Sequence, residues 1–259
     1  MAAATDSATR LAYDDEGAGT PVVLLHGLTF DRRTWRPIID RLDGSVRSIA
    51  IVLPAQGESG GAPAPFDEIA AQLHELLGSL AVDRPVVVGH SMSGGLASFY
   101  AANYPARGLV VVDNGPDIRP FAELVHRLEP ALRGPGFTKV WRTVEDSFGL
   151  ERIPEPLRLV VLETHEVKQD VVVGYWETLL RADPDELQAF IDTQLRKLDV
   201  PCLGVFGRPI TDSERERFGW LPDVQLEEWA GDGHFVHLVD PGRFATRLRQ
   251  FVDHCTAAG

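Results

Sequence analysis

Cysteine, lysine and long apolar runs are the scarce features of this chain, and each scarcity excludes something. The two cysteines, Cys202 and Cys255, make no disulfide framework, and their spacing fits no zinc motif. Of 25 basic side chains only Lys139, Lys168 and Lys197 are lysines, no basic cluster occurs, and the formal net charge is −13. Nucleic acid is therefore not an expected partner, and an anionic membrane surface would repel the chain. No apolar run approaches the roughly 18 residues that cross a bilayer. Residues Met1 to Ser7 show no basic stretch followed by an apolar core, so no signal peptide is read and a cytoplasmic location is expected. Internal repeats and low-complexity tracts are also missing.

What remains is a chain of 259 residues, 44% hydrophobic, enough to bury one large α/β core. Arg10 to Tyr13 reads as a short strand and Asp14 to Pro21 as turn. Val22 to Leu25 is a buried strand, followed by helical spacing at Trp35, Ile38, Ile39 and Leu42. Ser48 to Leu53 is the next strand, and Phe66, Ile69, Leu73, Leu76, Leu77 and Leu80 mark an amphipathic helix with Asp67 and Glu68 in its first turn. Strands at Val86 to Val88 and Gly108 to Asp113 flank a helix from about Met92 to Asn103. Strands alternating with helices of this length predict right-handed crossovers and a parallel sheet.

From about Asp117 to Lys197 the pattern turns mostly helical, with breaks at Pro130, Pro135, Pro154, Pro156 and Pro184. Phe121 to Leu128 and Val171 to Leu180 read as helices, while Leu159 to Leu162 fits a helix or no regular element. Strands resume at Pro201 to Gly207 and Val224 to Trp229, and a helix from about Gly242 to His254 ends the chain. The expected division is a core of residues 1–116 and 198–259 interrupted by a helical cap of residues 117–197, placed over the sheet edge.

The stretch Val86-Val-Val-Gly-His-Ser91-Met-Ser-Gly-Gly95 carries the chemistry. An apolar strand turning abruptly into a helix forces one residue into a cramped conformation, and small neighbours at Gly89, Ser93 and Gly94 permit the turn. Ser91 is lifted above the sheet edge at a helix N-terminus, the geometry of a nucleophile elbow. The competing reading is a phosphate-binding turn, but the glycine spacings of such loops are absent. His234, on the loop Gly231-Asp-Gly-His-Phe-Val-His237 after the last strand, is the candidate base, with His237 its rival. His26-Gly27 follows another strand, and the N–H of Leu28 with that of Met92 would form an oxyanion hole. His26 itself is read mainly as a loop-ordering residue.

These three motifs together resemble the α/β-hydrolase fold family, in the family's own order: oxyanion loop, nucleophile, cap insertion, base. The resemblance runs from about Arg10 to His254 and implies a mostly parallel central sheet flanked by helices, with Ser91 as nucleophile and His234 as proton shuttle. The segment that relatives fill with Asp-x-x-Gly-His-Gly-x-Ser reads here Val52-Leu-Pro-Ala-Gln-Gly-Glu-Ser59, which puts Gln56 in a changed place near the pocket. The family's common acid position, three residues after Gly207, is Ile210. Two aspartates compete for the role instead. Asp113, at the end of the strand after the elbow helix, is preferred over Asp212, whose alternative reading is a helix N-cap.

The resemblance implies a serine hydrolase of the esterase or lactonase type, acting on a small, largely apolar acyl substrate with no metal or organic cofactor. The cap supplies Phe121, Phe137, Trp141, Phe148, Tyr175 and Trp176. Of these, Trp141 and Trp176, together with His26, Gln56 and His90, are the pocket candidates. Two other classes stay open: a cofactor-independent lyase or oxygenase using His234 as general base, and a non-catalytic ligand-binding module.

Overall fold

The computed structural model describes residues 4–5, 11–42, 44 and 46–257. Its centre is an eight-stranded sheet. The strands are β1 (Ala4–Thr5), β2 (Ala12–Glu16), β3 (Thr20–Leu25), β4 (Val46–Ile51), β5 (Val86–His90), β6 (Gly108–Val112), β7 (Cys202–Phe206) and β8 (Val224–Glu228), in spatial order β1-β2-β4-β3-β5-β6-β7-β8. β1 and β2 are antiparallel to their neighbours, and β3 to β8 run parallel. The expected strand start at Arg10 lies outside the described residues, as does most of the stretch read for a signal peptide. Asp14 to Glu16 are strand rather than turn: they pair with Ala50, Ile49 and Ser48. Among the described residues β1 covers only Tyr13 and Ala12, so within them these acids lie along an antiparallel edge where charge is tolerated. Arg47 and Arg36 neutralise Asp15 and Glu16 there.

The helices are α1 (Arg36–Ile39), α2 (Phe66–Ser79), α3 (Met92–Asn103), α4 (Arg119–Leu132), α5 (Phe137–Asp146), α6 (Glu155–Thr164), α7 (Gln169–Tyr175), α8 (Glu177–Arg181), α9 (Pro184–Leu195), α10 (Asp212–Phe218), α11 (Val236–Val239) and α12 (Pro241–Ala257). Among the described residues no helix is long and apolar enough to cross a membrane. Cross-strand pairing shows how the layers form. Gly89 pairs with Val111 and Gly108 with Val86, so the two glycines face opposite sides of the sheet. A Cβ on Gly89 would meet α3 backbone, and one on Gly108 would meet Phe251 and Cys255 of α12. The sheet is thus sandwiched between α3 and α12, and β5, β6 and β7 are buried throughout.

Between β6 and β7 the chain forms α4 to α9. Three of the prolines sit where a missing N–H costs nothing: Pro154 precedes α6, Pro156 is in its first turn, and Pro184 opens α9. Pro130 lies inside α4 rather than ending it, the helix closing two residues later with Arg133 N–H on the Glu129 carbonyl. Leu159 to Leu162 belong to α6, and the stretch from Val171 to Leu180 divides into α7 and α8 at Trp176. Tyr175 Oη donates to the Pro54 carbonyl (2.8 Å) and Glu166 N–H to the Thr29 carbonyl (2.9 Å). These two bonds hold the helical segment over the C-terminal edge of the sheet.

Beneath that edge lies a column of buried imidazoles. His26 Nδ1 donates to the Gly27 carbonyl (2.8 Å) while its Nε2 accepts the Leu53 N–H (3.0 Å), which fixes one neutral tautomer. His90 Nε2 donates to the His234 carbonyl (2.9 Å). His237 is packed between aromatic rings, 4.7 Å from Trp35 and 4.6 Å from His90 between centroids. Burial lowers the pKa of His26 from 6.5 to about 4 and that of His237 to about 3, and it takes His90 well below 6.5.

Two outcomes are expected. Gly89→Ala should cost about 2 kcal/mol or more in thermal or denaturant unfolding, because the new Cβ would lie 2.0 Å from the Ser93 carbonyl oxygen. Stability should also fall on acidification. The three histidines stay neutral in the folded chain but take up protons when unfolded, so their contribution is intact above pH 6.5 and is lost as pH falls toward 4. His26 and His237 should each contribute roughly 2 kcal/mol of loss by pH 5, and His90 acts in the same direction. Denaturant midpoints measured from pH 7.5 to 5 check this, and a flat profile contradicts it.

Candidate active site

Five loops leave the same sheet edge, and the backbone of each is specialised. Ser91 follows β5 directly with φ 55° and ψ −130°, a strained conformation for a residue with a side chain. Its N–H is tied to the Val112 carbonyl of β6 (2.9 Å), and its own carbonyl accepts the Gly94 N–H (2.8 Å). The absent Cβ at Gly89 is what lets α3 start this close to the strand. Ser91 Oγ is half-exposed and has no hydrogen-bond partner among the described residues.

Gly27 brings the loop after β3 against the elbow: a Cβ there would sit 3.5 Å from the Ser91 Cβ. The N–H groups of Leu28 and Met92, the expected oxyanion donors, have no hydrogen-bond partner among the described residues. Ser93, noted in the sequence only as small, links the two loops by donating its hydroxyl to the His26 carbonyl. His26 and His90 are both fully buried, with their rings engaged as above, so each supports a loop from beneath and neither faces open space.

Asp113 ends β6 with φ 49°, its N–H still in the ladder on the Val205 carbonyl (2.8 Å). That turn aims the carboxylate across the edge. Oδ2 accepts from His234 Nδ1 at 2.7 Å and Oδ1 from the Gly207 N–H at 3.2 Å. With Nδ1 donating, His234 Nε2 is left as the acceptor nitrogen, without a partner among the described residues. No hydrogen bond joins His234 to Ser91 in this structure.

The base loop reaches this position by backbone contact. A Cβ on Gly207 would fall 1.9 Å from the Gly233 carbonyl oxygen, and Gly231 and Gly233 both adopt positive φ. The helical segment then grips the loop from above. Phe148 stacks on the His234 ring (centroids 5.5 Å, 16°), its carbonyl accepts the His234 N–H (3.3 Å), and Arg152 donates to the Gly231 carbonyl. Phe148 appears in the sequence as one more cap aromatic, and nothing local to it marks its partner.

Asp212 is brought to a different place. It is exposed as the first residue of α10, and the N-cap beside it is Thr211, which forms a capping box with Glu214. The spacing Thr211-x-x-Glu214 is a signal that the sequence contains. His237 is buried away from solvent with no partner for either ring nitrogen among the described residues.

Gln56 is buried, and its Oε1 accepts the Thr29 N–H at 2.6 Å. With Thr29, Phe30, Arg33, Lys168 and Val171 it lines a cavity of about 180 Å³ between the oxyanion loop and α6–α7. Trp141 packs against Phe137 and Trp176, and Trp176 also meets the edge of Phe121. Both tryptophans are buried within the helical segment.

Known proteins resemble this chain over most of its length. The chain is 26% identical over 266 residues to a 2-succinyl-6-hydroxy-2,4-cyclohexadiene-1-carboxylate synthase of Serratia proteamaculans, covering 95% of this chain and 98% of that protein. It is 30% identical over 218 residues to a pimeloyl-[acyl-carrier protein] methyl ester esterase of Pectobacterium atrosepticum, covering 76% and 79%. Among solved structures, an esterase from Exiguobacterium antarcticum superposes with a TM-score of 0.76 at 18% identity, covering 94% of this chain and 95% of that one, a likeness of fold. Residues 22–247 match the alpha/beta hydrolase family, and with the elbow, the flanking loops and the parallel sheet described above, the chain belongs to that family.

Proposed function

We propose that this protein is a serine hydrolase that cleaves an ester, lactone or related acyl bond of a small, largely apolar substrate through an acyl-enzyme. The observation that carries this reading is the pairing of Asp113 with His234 Nδ1 on the same sheet edge as the strained Ser91. In this mechanism His234 Nε2 takes the Ser91 Oγ proton as Oγ adds to the substrate carbonyl carbon. The electron pair of the carbonyl moves onto oxygen, and the free N–H groups of Leu28 and Met92 stabilise it at the positive end of α3. The imidazolium is stabilised by Asp113, whose carboxylate is held ready by the Gly207 N–H. His234 then returns the proton to the leaving alcohol, and water repeats the sequence to free Ser91. These steps call for no metal or organic cofactor.

The helices of residues 117–197 act in this reading as a cap. Phe148 supports it, since one ring covers the base and excludes water from one side of it. The aromatic content of the segment favours apolar acyl groups.

A second reading is favoured by the Serratia relative, whose name is that of a synthase. In that case His234 is a general base and Ser91 a hydrogen-bond donor, with no covalent step. The same experiment separates the two. A fluorophosphonate probe is expected to label wild-type protein at Ser91 and to leave Ser91→Ala unlabelled. A folded wild type that resists labelling, yet still turns over a carbon–carbon substrate, would falsify the hydrolase reading.

The acid is tested by a pair of variants. Asp113→Asn is expected to slow labelling and ester turnover by about 10² to 10⁴-fold, because the imidazole loses its fixed tautomer and its counter-charge. Asp212→Asn should stay within about twofold of wild type, a difference within the reach of surface effects. The reverse pattern, with both variants folded, assigns the acid to Asp212.

A further inference from the structure

Thr29 stands in a conformation that its sequence does not favour. Phe30 N–H closes on the Gly27 carbonyl (3.3 Å), making Gly27 to Phe30 a four-residue turn with Leu28 and Thr29 at its centre. Thr29 has φ 72°. A positive φ at the third position is the mark of a type II turn, which ordinarily selects Gly or Asn there. For a β-branched residue this is an outlier that persists only where its surroundings over-determine it. Relaxation would flip the central peptide between Leu28 and Thr29 toward the type I arrangement, turning the Thr29 N–H away from its acceptor; the Leu28 N–H belongs to the preceding peptide and moves only when the turn shifts as a whole.

The surroundings hold the central peptide from every side. Gln56 Oε1 accepts the Thr29 N–H (2.6 Å), Thr29 Oγ1 donates to the Leu28 carbonyl (2.5 Å), and Glu166 N–H reaches the Thr29 carbonyl (2.9 Å). Gln56 is 5% exposed, and its Nε2 is buried with no hydrogen-bond partner among the described residues. Its amide faces the Tyr175 hydroxyl, and its oxygen makes the bond to the backbone of the turn. Leu28, on the other half of the turn, presents the free N–H beside Ser91.

We infer that Gln56 is a positioning residue for the oxyanion hole: by holding the Thr29 N–H it anchors the Gly27–Phe30 turn as a whole, and with it the backbone of Leu28, whose N–H lies on the preceding peptide. The inference rests on the hydrolase reading for its effect on rate, but its effect on the turn is independent of it.

The test uses Gln56→Leu, which removes the acceptor, Gln56→Glu, which keeps an oxygen on Thr29 N–H, and the double variant Gln56→Leu/Thr29→Gly, in which glycine adopts positive φ without help. With p-nitrophenyl butyrate as probe, Gln56→Leu is expected to lower kcat by about 10 to 100-fold with KM within about threefold, and to slow fluorophosphonate labelling of Ser91 in parallel. Gln56→Glu at pH 8 and the double variant should each recover most of the lost kcat. Amide hydrogen exchange at Thr29 should rise in Gln56→Leu, whatever the protein's activity. Three results overturn the inference: unchanged exchange at Thr29, a loss confined to KM, or failure of both Gln56→Glu and the double variant to recover kcat. If wild type neither hydrolyses the ester nor takes the probe, the hydrolase reading fails, and the exchange result still decides whether Gln56 holds the turn. Should Gln56→Leu not fold, Gln56→Asn withdraws the same oxygen by one methylene and carries the same expectations.

Discussion

Parallel pairing from β3 to β8 is the constraint on which the rest of this molecule depends. It sends the loops after β3, β5, β6, β7 and β8 to one edge, so residues far apart in the chain meet without any long-range fitting of side chains. The loops then have to crowd, and the chain solves the crowding with backbone rather than with space. Gly89 against Ser93, Gly27 against the His90 ring and Gly207 against Gly233 are approaches that a methyl group would block or strain. Ser91, Asp113 and Thr29 take positive φ despite carrying side chains. Strain thus collects along this edge, above strands that are buried throughout.

That crowding has an electrostatic side. Four imidazoles lie within one small volume: His90 has its ring 4.8 Å from His234 and 4.6 Å from His237. If all were protonated the edge would come apart through like-charge repulsion. Burial keeps His26, His90 and His237 neutral, and the loop geometry leaves His234 alone beside a carboxylate. One imidazole is thereby left with a carboxylate partner, while its neighbours serve as rigid, uncharged struts. The distinction between His234 and His237, only three positions apart, is one of burial and partners rather than of sequence.

Most of the core was legible because its signals are local. The helix at Phe66 to Ser79 is amphipathic, the buried strands are continuous apolar runs, and the elbow announces itself by small residues around Ser91. Asp14 to Glu16 were misread because an antiparallel edge needs no apolar alternation, so three acids in a row look like turn. Leu159 to Leu162 gave no clear period because Leu159 and Leu162 face solvent, 54% and 50% exposed, while Val161 is buried between them. The contacts of Gln56 with Thr29 and of Phe148 with His234 join segments whose spacing only the folded chain defines, and no local pattern encodes them.

The placement of Asp113 follows from the same edge geometry. β6 lies between β5 and β7, so a carboxylate at its end is adjacent both to the elbow and to the loop after β7. Asp113 uses both neighbours: His234 takes one oxygen and the Gly207 N–H the other. The loop after β7 carries an ion pair. Arg208 donates to both carboxylate oxygens of Glu214 (2.9 and 2.6 Å), and Glu214 packs on Gly115, two residues beyond Asp113, where a Cβ would collide with it. The hydrogen bonds to Glu214 raise the Arg208 pKa, and the charge of Asp113 adds to that shift. The ion pair thus braces the turn that aims Asp113 and presents a cation on its far side. The loop after β7 thus helps to hold a carboxylate that stands at the end of the neighbouring strand.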